Sequence, residues 1–293
     1  MTQEPLLVEG SGDDIDQKLS RCRSILLEMK SAVVAFSAGV DSTFLLALAV
    51  DVLGGNRVLA AIGVSPSLPQ RELTAARELA DRFGIELTEI ATGELDNPEY
   101  AANPAQRCYF CKRDLFSRLS ALAQERGLGV VLSGANADDT GDFRPGMQAG
   151  TELGVRSPLL EAELTKADIR ELSRLMGLPT WDKPAMACLA SRVPYGETIT
   201  SERLARIERA EQAIRDMGFR QVRVRDHGDV ARIEIPADDL ARLVGMRTEA
   251  VVRLKGCGYT FVSMDLEGFR SGSFNEILSR SGDSPPERGG NAT

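Results

Sequence analysis

Apolar positions alternate along the chain between a helical and a strand-like period. From about Ile15, the residues Leu19, Cys22, Ile25, Leu26 and Met29 recur at helical spacing, and Ala32–Phe36 then forms a short continuous apolar run rich in β-branched residues. That pattern predicts a helix leading into a buried strand. Phe44–Leu53 is apolar nearly all round and stops at Gly54-Gly55, as a core helix does. Val58–Val64 reads as the next strand, Pro69–Phe83 as a helix behind Ser67 that ends before Gly84, and Ile85–Ile90 as a further strand. A helix from about Cys111 to Arg126, a strand at Gly129–Leu132 and a helix from Thr165 to Met176, closed by Gly177-Leu178-Pro179, continue the alternation. Such an order predicts the α/β class, a parallel sheet with helices on both faces.

After Trp181 the pattern breaks into an irregular, proline-containing segment, and residues 182–199 are taken as a junction. A different module follows. Thr200 and Ser201 are N-cap candidates for a long charged helix running to Met217; strands are expected at Gln221–Arg225 and Val230–Ile235, a helix at Ala237–Leu254 and a strand at Tyr259–Leu266. This αββαβ order implies a smaller C-terminal α+β domain over residues 200–275, beside an N-terminal domain over 15–181. Residues 1–14 and 276–293 carry little that a core would bury and are expected to be flexible.

Composition narrows the chemistry. At 293 residues the chain is long enough for two cores. Its formal charge of −8 and pI near 5.0 disfavour a surface built to hold polyanions. A single histidine excludes a zinc site made of several imidazoles in one chain, and His227, in an Asp-His-Gly-Asp turn between two strands, receives no catalytic role. Five cysteines, an odd number in so long a chain, suit reduced thiols in a cytoplasmic protein better than a secreted disulfide framework. No signal-like or membrane-spanning apolar run is present, so no membrane partner is expected.

Three segments are candidates for chemistry. Phe36-Ser37-Ala38-Gly39-Val40-Asp41-Ser42 lies where the first strand passes into a helix. There, backbone N–H groups and the positive helix end converge on one concavity, and small residues let an anion approach the main chain. The alternative is a tight turn with Ser or Asp capping the helix. Cys108-Tyr109-Phe110-Cys111 is expected immediately before a helix; the spacing alone admits half a zinc site, a redox pair, part of an iron–sulfur cluster or two ordinary thiols. Cys188 lies in the junction near Arg192, the setting of an accessible thiol with a depressed pKa, or else of a buried loop anchor. Cys22, on an apolar helix stripe, and Cys257, in a turn, are expected to be structural.

The first segment does not match the Walker pattern, but it resembles the PP-loop of the ATP pyrophosphatase superfamily, Ser-Gly-Gly-x-Asp-Ser, with Ala38 in place of one glycine. The additional methyl favours a negative φ at residue 38. This resemblance implies cleavage of ATP to pyrophosphate and an adenylated substrate. With Gly134-x-Asn136-x-Asp138-Asp139, Asp142-Phe143-Arg144-Pro145-Gly146, Cys188-x-x-Ser191-Arg192-x-Pro194-Tyr195-Gly196 and Val222-Arg223-Val224-Arg225, the chain from about residue 15 to 275 resembles the LarE family of ATP-dependent sacrificial sulfur transferases.

The resemblance implies an adenine nucleotide alpha hydrolase-like fold, ATP and Mg²⁺ as cofactors, and pyridinium-3,5-dicarboxylate mononucleotide as the substrate, thiolated in nickel-pincer nucleotide biosynthesis. It places Ser37, Ala38, Gly39, Val40, Asp41, Ser42, Gly134 and Asp138 at the nucleotide. It makes Cys188 the catalytic sulfur position, and Ser191, Arg192, Arg223 and Arg225 the pocket for the substrate phosphate. Asp138 and Asp139 would help hold Mg²⁺ or, alternatively, cap a helix; the two arginines of the strand would otherwise face solvent. One family branch sacrifices the cysteine to dehydroalanine, and another holds a 4Fe–4S cluster on three cysteines. Cys108, Cys111 and Cys188 place this chain with the latter. Three thiolates leave one iron without a protein ligand, open to sulfide from an external donor. The resemblance also implies a homotrimer or homohexamer.

Two other readings fit the same residues. A PP-loop tRNA thiolation enzyme would want a basic face that a charge of −8 does not advertise. A non-catalytic redox sensor would bind ATP through the loop and use the cysteines as its response.

Overall fold

Ala32, Val34, Ala60, Ile62 and Leu132 point into one apolar core, while their alternating neighbours Val33, Leu59, Ala61 and Val131 point into a second. Strands that bury both faces read as unbroken apolar runs, as these do. The computed structural model describes residues 12–141 and 145–270. In chain order the elements are α1 (Asp13–Met29), β1 (Ala32–Ala35), α2 (Val40–Leu53), β2 (Val58–Val64), α3 (Gln70–Phe83), β3 (Leu87–Ala91) and α4 (Pro98–Ala101). Next come α5 (Arg107–Glu125), β4 (Val130–Leu132), α6 (Pro145–Glu152), α7 (Pro158–Glu161) and α8 (Lys166–Leu175). The last are α9 (Ser201–Arg215), β5 (Arg223–His227), β6 (Val230–Glu234), α10 (Leu240–Gly245), α11 (Arg247–Gly256) and β7 (Phe261–Met264).

The chain forms two compact units. The first runs to Asn97 and resumes at Gln106–Ala187; the second joins Pro98–Ala105 to the chain from Cys188 onward. In the first unit a four-stranded sheet has the order β3-β2-β1-β4, with every pairing parallel. α1, α2, α3 and α8 supply the core on one face, and α5 supplies Phe116, Leu119 and Ala123 to the other. This is the α/β layering expected from the alternation. β1 is central, so its C-terminal end opens into the loop that starts α2.

The second unit has a three-stranded sheet, β5-β6-β7, antiparallel between β5 and β6 and parallel between β6 and β7. Its core gathers Ile214 and Phe219, Val224 and Ile233 from the strands, and Leu254 from α11. Asn103 ties Pro98–Ala105 to this unit, its side-chain amide donating to the carbonyls of Val193 (3.2 Å) and Pro194 (2.6 Å).

Several boundaries differ from the sequence reading for physical reasons. Ile85 belongs to the end of α3, its N–H returning to the Ala80 carbonyl, so β3 begins two residues later, at Leu87. The expected helix at Ala237–Leu254 is broken at Met246, next to Gly245, a poor helix former. α5 begins at Arg107 behind Gln106, which makes no side-chain cap, so the start carries no capping signal. The Cys-x-x-Cys therefore lies within the first turn of α5 and not ahead of it. α1 takes in Asp13 and Asp14, at the edge of the segment expected to be flexible. The remainder of that segment up to residue 11, the tail from residue 271, and Asp142, Phe143 and Arg144 lie outside the described residues.

Candidate functional site

The Ser37–Ser42 loop leaves the C-terminal end of β1, and Gly39 is the N-cap of α2 with no side-chain cap hydrogen bond. The Ser37 and Ser42 hydroxyls bond each other at 3.0 Å, and the Ser37 N–H donates to Ser42 Oγ at 3.2 Å. These hydroxyls fold the loop on itself and leave capping of α2 to whatever approaches its first amides. Ala38 is fully buried and adopts φ +54°. The expectation of a negative φ is therefore wrong: the loop imposes the left-handed conformation on alanine, at a cost of about 1–2 kcal/mol.

Two lysines, neither singled out in the sequence, contact this loop. Lys166 Nζ ion-pairs with Asp41, and its backbone N–H donates to Asp138 Oδ2 at 2.8 Å. Lys183 Nζ donates to the Ala38 carbonyl at 2.9 Å and to Glu72 Oε2 at 2.8 Å. Thr165 fixes Lys166 at the start of α8 through a reciprocal capping box with Asp168. A cap of this form, Thr-x-x-Asp, is a signal that could have flagged the neighbourhood.

Gly134 has to be small: a Cβ there would meet the Ser42 backbone nitrogen at 3.1 Å, so the β4 loop packs directly on the start of α2. Asn136 and Asp139 close the following turn, the Asn136 N–H donating to Asp139 Oδ2 at 3.0 Å. Asp41 Oδ1 is buried and accepts no hydrogen bond. An orphaned carboxylate oxygen, with Asp138 tied to the same lysine, is a hard-oxygen donor set that fits Mg²⁺.

Cys108 is exposed and Cys111 half-buried on the first turn of α5, one residue per position of an i,i+3 pair. α6 lies close against that turn at Gly146, where a Cβ would come within 2.9 Å of the Lys112 side chain. Cys188 is exposed in the second unit, immediately before a short 3-10 helix at Leu189–Arg192. No disulfide joins the cysteines, and among the described residues no three His, Cys, Asp or Glu side chains gather as a metal site. Cys22 is fully buried, and burial pushes its thiol up to about 12; burial also raises the half-buried Cys257.

In the second unit Arg192 is almost wholly buried. Its guanidinium pairs with Glu211 (2.7 Å) and donates to Ser191 Oγ (2.8 Å) and to the Cys188 carbonyl (3.1 Å). Arg225 donates to the Ser191 carbonyl at 2.7 Å and pairs with Glu234 at 2.8 Å. Arg223 stacks over the Phe269 ring at 4.3 Å. Burial, with the charges of Arg192 and Arg225, pushes Arg223 down to about 10. Burial likewise lowers Arg225, although Glu234 opposes it. Among the described residues, Arg192, Arg215, Arg223, Arg225 and Arg232 share the carboxylates of Glu211, Glu234 and Asp265. The structure thus brings Ser191, Arg192, Arg223 and Arg225 together, and adds Glu211 and Glu234 as their buried counterions. Glu211 occupies an apolar-stripe position of α9, beside Ile207 and Ile214, a signal that was legible.

A family model described as NAD synthase matches residues 13–124. The chain is 45% identical over 91% of its length to an uncharacterized protein of Synechocystis, all of which is covered. It is 36% identical over 87% of its length to the pyridinium-3,5-bisthiocarboxylic acid mononucleotide synthase of Lactiplantibacillus plantarum, 92% of which is covered. An NH(3)-dependent NAD(+) synthetase of Finegoldia magna is 30% identical over 52% of this chain and 62% of its own. With its PP-loop at the end of the central parallel strand and a similarity to the Lactiplantibacillus synthase that spans most of both chains, the chain belongs to the LarE family of PP-loop sulfur transferases.

Proposed function

We propose that this enzyme adenylates the carboxylates of pyridinium-3,5-dicarboxylate mononucleotide with ATP and converts them to thiocarboxylates. The observation that carries the reading is the Ser37–Ser42 loop, which presents an α2 N-terminus with no side-chain cap between two lysine ammoniums. Ser37, Ala38, Gly39, Val40 and Ser42 cradle the ATP phosphates through amides and hydroxyls. Asp41 and Asp138 would hold Mg²⁺, which would neutralise the triphosphate; here Asp41 pairs with the Lys166 ammonium. A substrate carboxylate oxygen attacks the α-phosphorus, the bond to pyrophosphate breaks, and the mixed anhydride carries AMP as a leaving group where oxide would be a poor one. A sulfide-level nucleophile at the Cys188 position then adds to the acyl carbon and the C–O bond to AMP breaks: sulfide from an external donor gives the thiocarboxylate directly, whereas the Cys188 thiolate gives a thioester that releases it only when the Cβ–Sγ bond breaks with loss of the Cα proton, leaving dehydroalanine.

The substrate phosphate is read by Ser191, Arg192, Arg223 and Arg225. Guanidinium forks suit phosphate by charge and geometry. The soft thiol donors of Cys108, Cys111 and Cys188 suit iron by chemical type. These three cysteines would hold a 4Fe–4S cluster, whose chemistry would be to offer an iron site for a transferable sulfide.

The test is pyrophosphate release by the anaerobically purified protein with MgATP, with and without the dicarboxylate mononucleotide, alongside iron and sulfide analysis and mass spectrometry of the product. Release that depends on the nucleotide, with a gain of sulfur, is expected; Cys188→Ala should keep pyrophosphate release and lose sulfur transfer. An iron-free protein that turns over once and leaves dehydroalanine at residue 188 would replace the cluster by the sacrificial route. ATP binding with no nucleotide-dependent release would leave the sensor reading.

A further inference from the structure

We infer that Lys183 is a positioning residue of the ATP site: its ammonium holds Ala38 in the left-handed conformation and so aims the loop's next amide. The inference rests on the loop binding ATP. Ala38 is an L-residue at φ +54°, a conformation that must be imposed from outside. The Lys183 ammonium donates to the carbonyl of that same residue at 2.9 Å, and Glu72, on the first turn of α3, holds the ammonium at 2.8 Å. Both side chains are largely withdrawn from solvent, at 21% and 9% exposure. Because the peptide unit is planar and trans, its carbonyl and the following N–H point in opposite directions. Fixing the Ala38 carbonyl on the lysine therefore turns the Gly39 N–H to the other side of the loop. A glycine at residue 38 would need no such restraint. Lys183 stands 145 residues away in sequence and compensates for the methyl that Ala38 carries.

When a binding-competent loop is only partly populated, the apparent Kd rises by the reciprocal of that population. Lys183→Met should weaken MgATP binding, measured by titration calorimetry, roughly tenfold, the scale of one charge-assisted hydrogen bond. The Kd of Ala38→Gly alone sets the reference against which the double variant is read. In the Lys183→Met background, Ala38→Gly should recover most of the loss. A purely structural lysine would not show that rescue. Repeating the series in a Glu72→Gln background removes the buried charge that Lys183→Met strands, so misfolding cannot imitate the result; thermal unfolding of each variant checks this. Two results overturn the inference: unchanged ATP affinity in Lys183→Met, or a loss that Ala38→Gly does not restore. Calorimetry needs no sulfur transfer, so a protein that binds ATP but thiolates nothing would count against the proposed function and leave this inference intact.

Discussion

At the scale of single residues, Ala38 stores strain that a substitution can release. Its left-handed φ costs an L-residue about 1–2 kcal/mol, whereas glycine at the same place surrenders roughly 0.5–1 kcal/mol of unfolded-chain entropy. Ala38→Gly should therefore stabilise the protein by about 0.5–1 kcal/mol, read as a rise of a few degrees in the unfolding midpoint. A lower midpoint would mean that the contacts of the fully buried methyl outweigh the strain. The cysteines separate on the same scale. Alkylation of the iron-free protein at neutral pH, followed by peptide mass mapping, should modify the exposed Cys108 and Cys188 first and Cys22 last, since burial has raised Cys22 to about 12 and removed it from solvent. Early labelling of Cys22 would show that α1 opens far more readily than its packed core implies.

At the scale of elements, α9, β5 and β6 are joined by buried charge. Glu211 on α9 pairs with Arg192 and Arg215 and accepts the Val224 N–H at 3.2 Å. Burial opposes its ionisation, and the two arginines overcome that opposition and hold its carboxyl below the ordinary glutamate range. A carboxylate whose folded pKa is depressed contributes stability above its unfolded value, near 4.3, and loses it as pH falls toward the folded one. Stability should thus decline from about pH 5 downward, and Glu211→Gln should flatten that slope while costing roughly 3–5 kcal/mol at neutral pH, because buried guanidinium charge is left uncompensated. Chemical denaturation across pH measures both; a variant with an unaltered acid slope would place the titrating group elsewhere. Thr165→Ala should cost about 1 kcal/mol by removing the cap of α8.

The order of these elements was legible because each carries its own period: the strand of Val33 and Val34, the all-apolar α2, the capped α8. The start of α5 was not, since Gln106 offers no cap, and the break at Met246 hides inside one continuous helical pattern. The PP-loop and the paired arginines of β5 could be read from neighbouring letters. Lys166 and Lys183 could not be assigned their roles, for Asp41, Glu72 and the Ala38 carbonyl come from distant parts of the chain; the arginines of Glu211 and Glu234 lie nearer in sequence, but only packing buries a carboxylate under Arg225. The Ala38 conformation was misjudged for the same reason: local preference gave one sign of φ and tertiary restraint imposed the other.

At the scale of the whole molecule, a net charge of −8 conceals a local arginine cluster in the second unit, where Arg192, Arg215, Arg223, Arg225 and Arg232 gather around Glu211, Glu234 and Asp265. An acidic body with one small cationic site suits a monophosphate better than a polyanion. Log affinity for a mononucleotide should therefore fall with log salt at a slope of only about −1 to −2, whereas a tRNA neutralising many phosphates would show a far steeper one. The two proposed sites should also be separable by ligand. Hydrogen exchange with MgATP should protect the segment from Phe36 to Phe44, and exchange with a pyridine mononucleotide should protect Cys188–Arg192 and the strands around Arg223 and Arg225. At a ligand concentration of about 100 Kd, either should add roughly 2.7 kcal/mol to stability. Arg223→Gln should abolish the second effect and leave the first intact, because it removes a guanidinium of the proposed phosphate pocket and touches nothing in the Ser37–Ser42 loop. Tight tRNA binding at physiological salt with a steep slope would reverse this assignment and show that the arginine cluster reads a polynucleotide backbone.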